Sequence, residues 1–233
     1  TFPPNILKEA QKVSEIKVTD KDIKERRDMR STTTFTIDPD DAKDFDDAIS
    51  FKKLTNGNYE VGIHIADVSH YVKLGTDLDM EARQRGTSVY LVDRTIPMLP
   101  EELSNGICSL NEKVDRLTFG AIFELDKGGN VHKQWFGKTI IHSDKRFTYE
   151  EAQNILDSKK GIFFEELNTL NNIAKKLLKK RYDEGAISLE QDEVRFKLDE
   201  KGIPISVYTK ERGDTNKLIE EFSGFQGPLG SLS

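Results

Sequence analysis

Cysteine is almost absent from this chain of 233 residues, which contains Cys108 and no other. A single cysteine excludes an intrachain disulfide and any zinc site built from several cysteines. Because disulfides are rare in reducing compartments, the composition makes a cytoplasmic location the default expectation.

Long apolar runs are also missing. The longest apolar stretches have the length of a β-strand, whereas a membrane-spanning helix needs about 18 or more apolar residues. The first residues show no basic region followed by an apolar segment, which is the pattern of a signal peptide. We therefore expect no membrane association. Since the chain begins at Thr1 without a methionine, we also expect it to be a fragment.

An excess of positive charge is the third absence. The net charge is −6, which argues against a general nucleic-acid binder because such proteins are usually basic. The charges are unevenly distributed, however. Acid is concentrated between residues 38 and 47, and the segment 175–181, KKLLKKR, is strongly basic. We interpret the basic run as the solvated face of a helix.

The residues that are present alternate between strand and turn patterns over the first part of the chain. β-branched and aromatic runs are separated by turn signals, with predicted hairpins around Asn56-Gly57 and over DKGGN at 126–130. Helical patterns follow, and the first has a capping box formed by Thr148 and Glu151. The pattern predicts an α+β fold with a mixed, mostly antiparallel sheet and helices packed on it.

Three regions are expected along the chain. Residues 1–31 are helical and charged, and are predicted to form a connecting arm. Residues 32–222 form the main domain. Residues 223–233 fit neither pattern, and FQGPLGS within them looks like an engineered protease site followed by a cloning remnant.

The most unusual stretch is TFTIDPDDAKDFDDAISF, residues 34–51, which has six aspartates within ten positions. Two carboxylates about 4 Å apart repel each other by roughly 4 kcal/mol at an effective dielectric constant near 20. Water, protons, arginines or metal ions must offset this repulsion. Phe45 lies among the charges, so part of the loop is predicted to pack inward.

Several interpretations of the aspartate loop are open. It can be a solvated acidic loop. A calcium loop is excluded, because a loop starting at Asp38 has Lys43 and Ile49 where glycine and glutamate are required. Asp44-Phe45-Asp46 matches the short motif of metal-dependent glycosyltransferases. A cluster of four acids can also hold two divalent ions about 3.5–4 Å apart, the arrangement used for attack of water on a phosphodiester.

The motif IDPDDAKDFDDAI closely resembles the catalytic signature of the ribonuclease II/ribonuclease R family, which are processive 3′-to-5′ exoribonucleases. HIADVSHYV (64–72), the block at 77–119 and DTNKLIEEF (214–222) are similar to further family blocks in the same order. The resemblance covers about residues 32–222 and is closest to the ribonuclease R branch. It implies hydrolysis of single-stranded RNA to nucleoside 5′-monophosphates.

The resemblance also implies site residues. The four aspartates that bind metal and carry catalysis in the family correspond to Asp38, Asp44, Asp46 and Asp47. The expected cofactor is Mg²⁺, with Mn²⁺ possible, and no small organic cofactor is expected. Tyr90 matches the tyrosine that stacks on a base near the 3′ end, and we add Arg83 and Arg85 as candidate contacts to backbone phosphates. His64 and His70 are predicted to serve packing rather than metal binding.

Departures from the family pattern limit what we expect. Leu189 stands where many members have a phenylalanine that clamps the terminal bases. An arginine-rich motif in the second half of family catalytic domains is missing, so we expect residues 1–233 to hydrolyse little or no RNA by themselves. The non-enzymatic alternative is an RNA-binding regulator of the same fold. A monomer is the default expectation.

Overall fold

The computed structural model describes residues 1–91, 94–185, 193–199, 204–210 and 213–224. Leu189 and residues 225–233 therefore lie outside the described residues. Eleven strands occur in the described part of the chain: β1 (Arg27–Asp28), β2 (Thr33–Asp38), β3 (Asp47–Lys53), β4 (Tyr59–Ala66), β5 (Val89–Tyr90), β6 (Thr95–Ile96), β7 (Asp115–Leu125), β8 (Val131–His142), β9 (Lys145–Thr148), β10 (Glu193–Leu198) and β11 (Pro204–Lys210).

Seven strands form one sheet in the order β1-β8-β7-β4-β3-β2-β9. The central pairs are antiparallel, whereas β1 pairs with β8 and β9 pairs with β2 in parallel at the two edges. β5 with β6 and β10 with β11 form separate antiparallel pairs. The predicted mixed, mostly antiparallel sheet is confirmed.

The hairpin between β3 and β4 forms where Asn56-Gly57 predicts it. Gly57 has φ +86°, a left-handed conformation that glycine adopts without steric cost. The Leu54 amide donates to the Asn58 carbonyl and closes the turn at 2.9 Å. The second predicted hairpin, between β7 and β8, is confirmed by their antiparallel register.

The helices are α1 (Pro4–Ser14), α2 (Asp20–Lys24), α3 (Val68–Tyr71), α4 (Asp77–Arg85), α5 (Tyr149–Ser158), α6 (Phe164–Asp183) and α7 (Asp214–Gly224), with a π-helical segment at Glu102–Ile107. Thr148 and Glu151 form the predicted capping box at the start of α5. Among the described residues, no helix is both long and apolar enough to cross a membrane.

Helices cover the sheet in two places. α5, α6 and α7 pack on the central strands in a core that includes Phe35, Ile63 and Phe123. α1 and α4 pack with the π-helical segment against Leu117 of β7 and Ile140 of β8. The predicted arm at 1–31 thus contributes a packed helix, and its last residues add the two-residue strand β1, which the sequence pattern did not predict.

His64 is fully buried within the sheet. Its two ring nitrogens lie 3.1 Å from the Thr139 hydroxyl and 2.9 Å from the Ser50 hydroxyl. Burial lowers the pKa of His64 to about 3, so the ring is neutral at pH 7. The prediction that His64 serves packing is confirmed.

Candidate functional site

The aspartate loop, residues 39–46, connects two adjacent strands. β2 ends at Asp38 and β3 begins at Asp47. Because β2 and β3 are antiparallel neighbours, the last residue of β2 and the first residue of β3 lie at the same end of the strands. The fold therefore brings the first and last of the predicted site residues to one place.

Ser109, which lies outside the loop, binds the backbone of the loop at two positions. Its hydroxyl accepts from the Phe45 amide at 3.0 Å and donates to the Lys43 carbonyl at 3.0 Å. The Phe45 carbonyl accepts from the Leu110 amide at 2.9 Å. Phe45 is buried, which confirms that part of the loop packs inward.

Asp38 is the most buried of the four aspartates, with 8% of its surface exposed. Its Oδ2 atom is buried and has no hydrogen-bond partner among the described residues. Burial is the main reason that the pKa of Asp38 is raised to about 6; the charges of Asp47 and Asp46 act in the same direction, whereas the Thr36 hydroxyl and the charge of Arg146 oppose it. The Thr36 hydroxyl lies near Asp38, but within the described part of the chain neither Thr36 Oγ1 nor Asp38 Oδ2 has a partner with hydrogen-bond geometry. An unpartnered buried carboxylate oxygen is costly unless a proton or a cation satisfies it.

Asp46 and Asp47 are perturbed in the same direction. Asp46 is exposed, yet the surrounding protein still desolvates its carboxylate in part, and the charges of Asp44 and Asp47 act in the same direction, so its pKa is raised. Burial also raises the pKa of Asp47, opposed by a hydrogen bond from Ser223. The Ser223 hydroxyl, on α7, donates to Asp47 Oδ2 at 3.1 Å. Carboxylates that raise one another's pKa share an electrostatic environment suited to cations.

Asp44 is joined to Tyr90. The Tyr90 hydroxyl donates to Asp44 Oδ2 at 2.8 Å, and this bond is the main reason that the pKa of Tyr90 is raised to about 12. Tyr90 remains 64% exposed, so its ring is accessible beside the aspartates. Tyr90 thus contacts the aspartate loop. The charges of Asp44, Asp46 and Asp47 influence neighbouring carboxylates, but among the described residues the four carboxylates, Asp38 included, do not converge into a group that could hold a metal ion.

An open cleft of about 860 Å³ adjoins Asp44 and Tyr90. Two cationic residues, a hydroxyl and an amide contribute to its walls: Lys43, Arg94, Ser104 and Asn105. Sequence reasoning missed these residues. Lys43 is within the aspartate motif and could have been noted as the one cation there, whereas no local signal marks Ser104 or Asn105.

Arg83 and Arg85 are not among the residues that line this cleft. Arg83 pairs with Asp79 on α4 at 3.0 Å. Arg85 pairs with Glu81 at 2.8 Å, and its guanidinium carbon lies 3.7 Å from the centroid of the Phe2 ring. Both arginines are thus engaged on α4, and their role as phosphate contacts stays a prediction.

The fit of a metal to this site is partial. Among the described residues, no group of three or more Asp, Glu, His or Cys side chains is arranged so that it could hold a metal ion. Carboxylate oxygens are nevertheless the ligands that hard cations prefer, and Mg²⁺ is often bound by only one or two carboxylates, with water and substrate phosphates completing its shell. The unpartnered Asp38 oxygen suits such a site.

Comparison with protein families identifies the chain. The model of the RNB domain matches residues 26–225. The chain belongs to the RNB domain family. This match begins a few residues before the predicted domain boundary at 32, and it includes Ser223, which the sequence pattern assigned to the tail.

Similar RNB proteins carry nuclease names. Ribonuclease R of Thermotoga maritima is 46% identical over 227 residues, covering 95% of this chain and 32% of that protein. DIS3-like exonuclease 2 of Schizosaccharomyces pombe is 44% identical, covering 88% of this chain and 24% of its own length. The chain therefore spans about a third or less of these relatives.

The fold agrees with a solved structure. Mycoplasma genitalium RNase R in complex with ribose methylated single-stranded RNA superposes with a TM-score of 0.87 at 26% identity, covering 95% of this chain and 35% of that one. The α+β fold is thus that of RNase R RNB domains.

Proposed function

We propose that this RNB chain is part of a 3′-to-5′ exoribonuclease that hydrolyses single-stranded RNA processively to nucleoside 5′-monophosphates. The observation that carries the proposal is the buried Asp38 oxygen without a partner, next to Asp46 and Asp47. Family membership supports a nuclease and leaves the glycosyltransferase alternative without support.

In this proposal Asp38, Asp44, Asp46 and Asp47 hold Mg²⁺ or Mn²⁺. When bound there, a divalent ion would supply the positive charge that acidifies a water and offsets the negative charge of the leaving 3′-oxygen. Asp38 ends β2 and Asp47 begins β3. These two residues are therefore the first and the last of the four proposed ligands along the chain. Asp38 pairs with Thr148 of β9, and Asp47 pairs with Ile65 of β4, so the sheet fixes the backbone of both residues.

Tyr90 and the cleft would receive the RNA. The exposed Tyr90 ring offers a stacking surface for a base, and base–aromatic stacking tolerates any sequence. The hydrogen bond to Asp44 holds the hydroxyl end of the ring toward the aspartates. Lys43 and Arg94 on the cleft wall offer positive charge for phosphates.

Metal binding tests the proposal without requiring turnover by residues 1–233. Calorimetric titration of Mn²⁺ into the wild-type chain is expected to show binding that the double variant Asp38→Asn/Asp47→Asn loses. The matched control is Asp40→Asn/Asp41→Asn, which removes two exposed carboxylates of the same loop and should retain binding. Equal Mn²⁺ affinity in both double variants would contradict the proposal.

RNA binding separates the enzyme from the regulator. Fluorescence anisotropy of a labelled single-stranded RNA would be recorded with Mg²⁺ and with a chelator. Binding that strengthens with Mg²⁺ and is weakened by Asp38→Asn/Asp47→Asn favours the nuclease. Binding that is indifferent to both favours a non-catalytic RNA-binding protein of the same fold.

A further inference from the structure

Arg146 contacts both ends of the aspartate loop. It lies on the edge strand β9, opposite Thr36 of β2, and its side chain reaches past the end of β2. Its Nη2 atom donates to the carbonyl oxygens of Pro39, at 2.6 Å, and Asp40, at 3.0 Å. Its guanidinium carbon lies 5.4 Å from the centroid of the Phe45 ring.

These contacts bracket the carboxylates. Pro39 and Asp40 directly follow Asp38, and Phe45 directly precedes Asp46. One side chain thus contacts the backbone at the start of the loop and the ring at its end. The Pro39 carbonyl also accepts from the Ala42 amide at 3.1 Å, so the carbonyl that Arg146 binds is part of the turn itself.

Guanidinium chemistry explains why this position favours arginine. The planar group presents donors in a fixed fork and can lie flat on an aromatic ring while it donates in its own plane. A lysine ammonium keeps the charge but is a compact point donor on a flexible stem. The carboxylates of the loop repel one another. A guanidinium that contacts both ends of the loop therefore opposes the separation of those ends.

We propose that Arg146 is a positioning residue that fixes the shape of the aspartate loop and thereby the spacing of its carboxylates. It acts through the backbone of Pro39 and Asp40 and through Phe45. Its positive charge also interacts with Asp38, and Arg146→Lys retains that charge. The consequence for metal affinity rests on the function proposed above, whereas the consequence for loop shape does not.

The variant that tests this is Arg146→Lys. Hydrogen exchange measured by mass spectrometry, without metal, should become faster in peptides covering 38–46, where the reporters are the amides of Ala42 and Phe45. Exchange in the central strands should be unchanged. Mn²⁺ affinity measured by calorimetry should fall by about tenfold to a hundredfold, as for residues that orient metal ligands from outside the ligand set.

The matched control is Arg27→Lys. Arg27 makes an ion pair with Glu60 at 2.8 Å and its guanidinium carbon lies 5.2 Å from the Trp135 ring, so the same substitution removes a guanidinium–ring contact away from the loop. It should change neither loop exchange nor Mn²⁺ affinity. If Arg146→Lys does not fold, Phe45→Leu removes the ring beneath the guanidinium and should also speed exchange in the loop.

The outcomes are distinguishable. Unchanged loop exchange in Arg146→Lys overturns the positioning role, and so does faster exchange together with unchanged Mn²⁺ affinity. A wild-type chain that binds no Mn²⁺ overturns the proposed function, and loop exchange then still decides whether Arg146 fixes the loop.

Discussion

At the scale of single residues, the aspartates of the loop are not equivalent. Asp40 and Asp41 are exposed, so water solvates their charges. Asp38, the last residue of β2, is buried, and one of its oxygens has no hydrogen-bond partner among the described residues. A charge in that position destabilises the fold in the absence of a cation, and residues that bind cations commonly carry such a cost.

Replacing Asp38 should therefore stabilise the metal-free protein at neutral pH. The pKa of Asp38 is about 6 in the fold against an ordinary value of 3.8, so the folded state holds the proton more tightly than the unfolded state. Stability falls as pH rises from about 4 to about 6, by up to about 3 kcal/mol. Asp38→Asn escapes this loss because it cannot ionise.

Urea denaturation in the presence of a chelator measures this effect. Asp38→Asn should exceed the wild type in unfolding free energy at pH 7, and the difference should shrink toward zero at pH 4. Asp41→Asn is the control and should stay within about 0.5 kcal/mol of the wild type, as is usual for exposed positions. A less stable Asp38→Asn variant at pH 7 would contradict the prediction.

Two substitutions of Tyr90 distinguish the contribution of its ring to RNA binding from that of its hydroxyl. If the ring stacks on RNA as proposed, Tyr90→Ala should weaken binding of single-stranded RNA by about 1–3 kcal/mol. Tyr90→Phe keeps the ring, loses the hydrogen bond to Asp44, and should bind RNA nearly as well as the wild type.

Fluorescence anisotropy with a labelled uridine oligonucleotide is the measurement. Tyr182→Ala is the control, because Tyr182 is a 40% exposed tyrosine on α6, outside the residues that line the cleft. An equal loss for Tyr90→Phe and Tyr90→Ala would assign the effect to the hydroxyl and its bond to Asp44.

At the scale of elements, α1 is attached to the domain by side chains on one face. Ile6 and Ala10 are buried in the cluster that contains Leu78 of α4, and Glu9 accepts from the Leu78 amide at 3.1 Å. The helix thus caps the start of α4 and covers its apolar face. A connecting arm without a core of its own would lack these contacts.

Ile6→Ala should accordingly destabilise the protein by about 2–5 kcal/mol, the usual cost of truncating a buried isoleucine to alanine. The neighbouring Leu7 is 41% exposed, so Leu7→Ala is the matched control and should cost much less. Thermal or urea unfolding followed by circular dichroism compares the two. Similar small losses for both variants would mean that α1 does not contribute to the stability of the domain.

At the scale of the whole molecule, the candidate site forms where separate parts of the chain meet. The strand ends of β2 and β3 supply Asp38 and Asp47, α7 supplies Ser223, and the segment after the π-helix supplies Ser109. β5 supplies Tyr90. Because these residues come from distant parts of the chain, the surroundings of the carboxylates depend on the tertiary arrangement rather than on the loop alone.

The sequence by itself determined many of the elements, and its resemblance to a family named the candidate carboxylates. Turn chemistry at Asn56-Gly57 and the capping box at Thr148 and Glu151 involve residues close together in the chain, so their local pattern predicts their geometry. The aspartate motif likewise marked its own strand boundaries. The mixed, mostly antiparallel sheet followed from the spacing of the strand and turn patterns.

Only the tertiary structure decided which side chains hold the loop. Arg146 is separated by 107 residues from Pro39, and Ser223 by 176 residues from Asp47. Contacts of this kind depend on how the sheet edge and α7 pack, and no local periodicity encodes them. The position of the Arg85 side chain depends on packing for the same reason. Arg85 is close to Tyr90 in sequence, yet its guanidinium packs against Phe2.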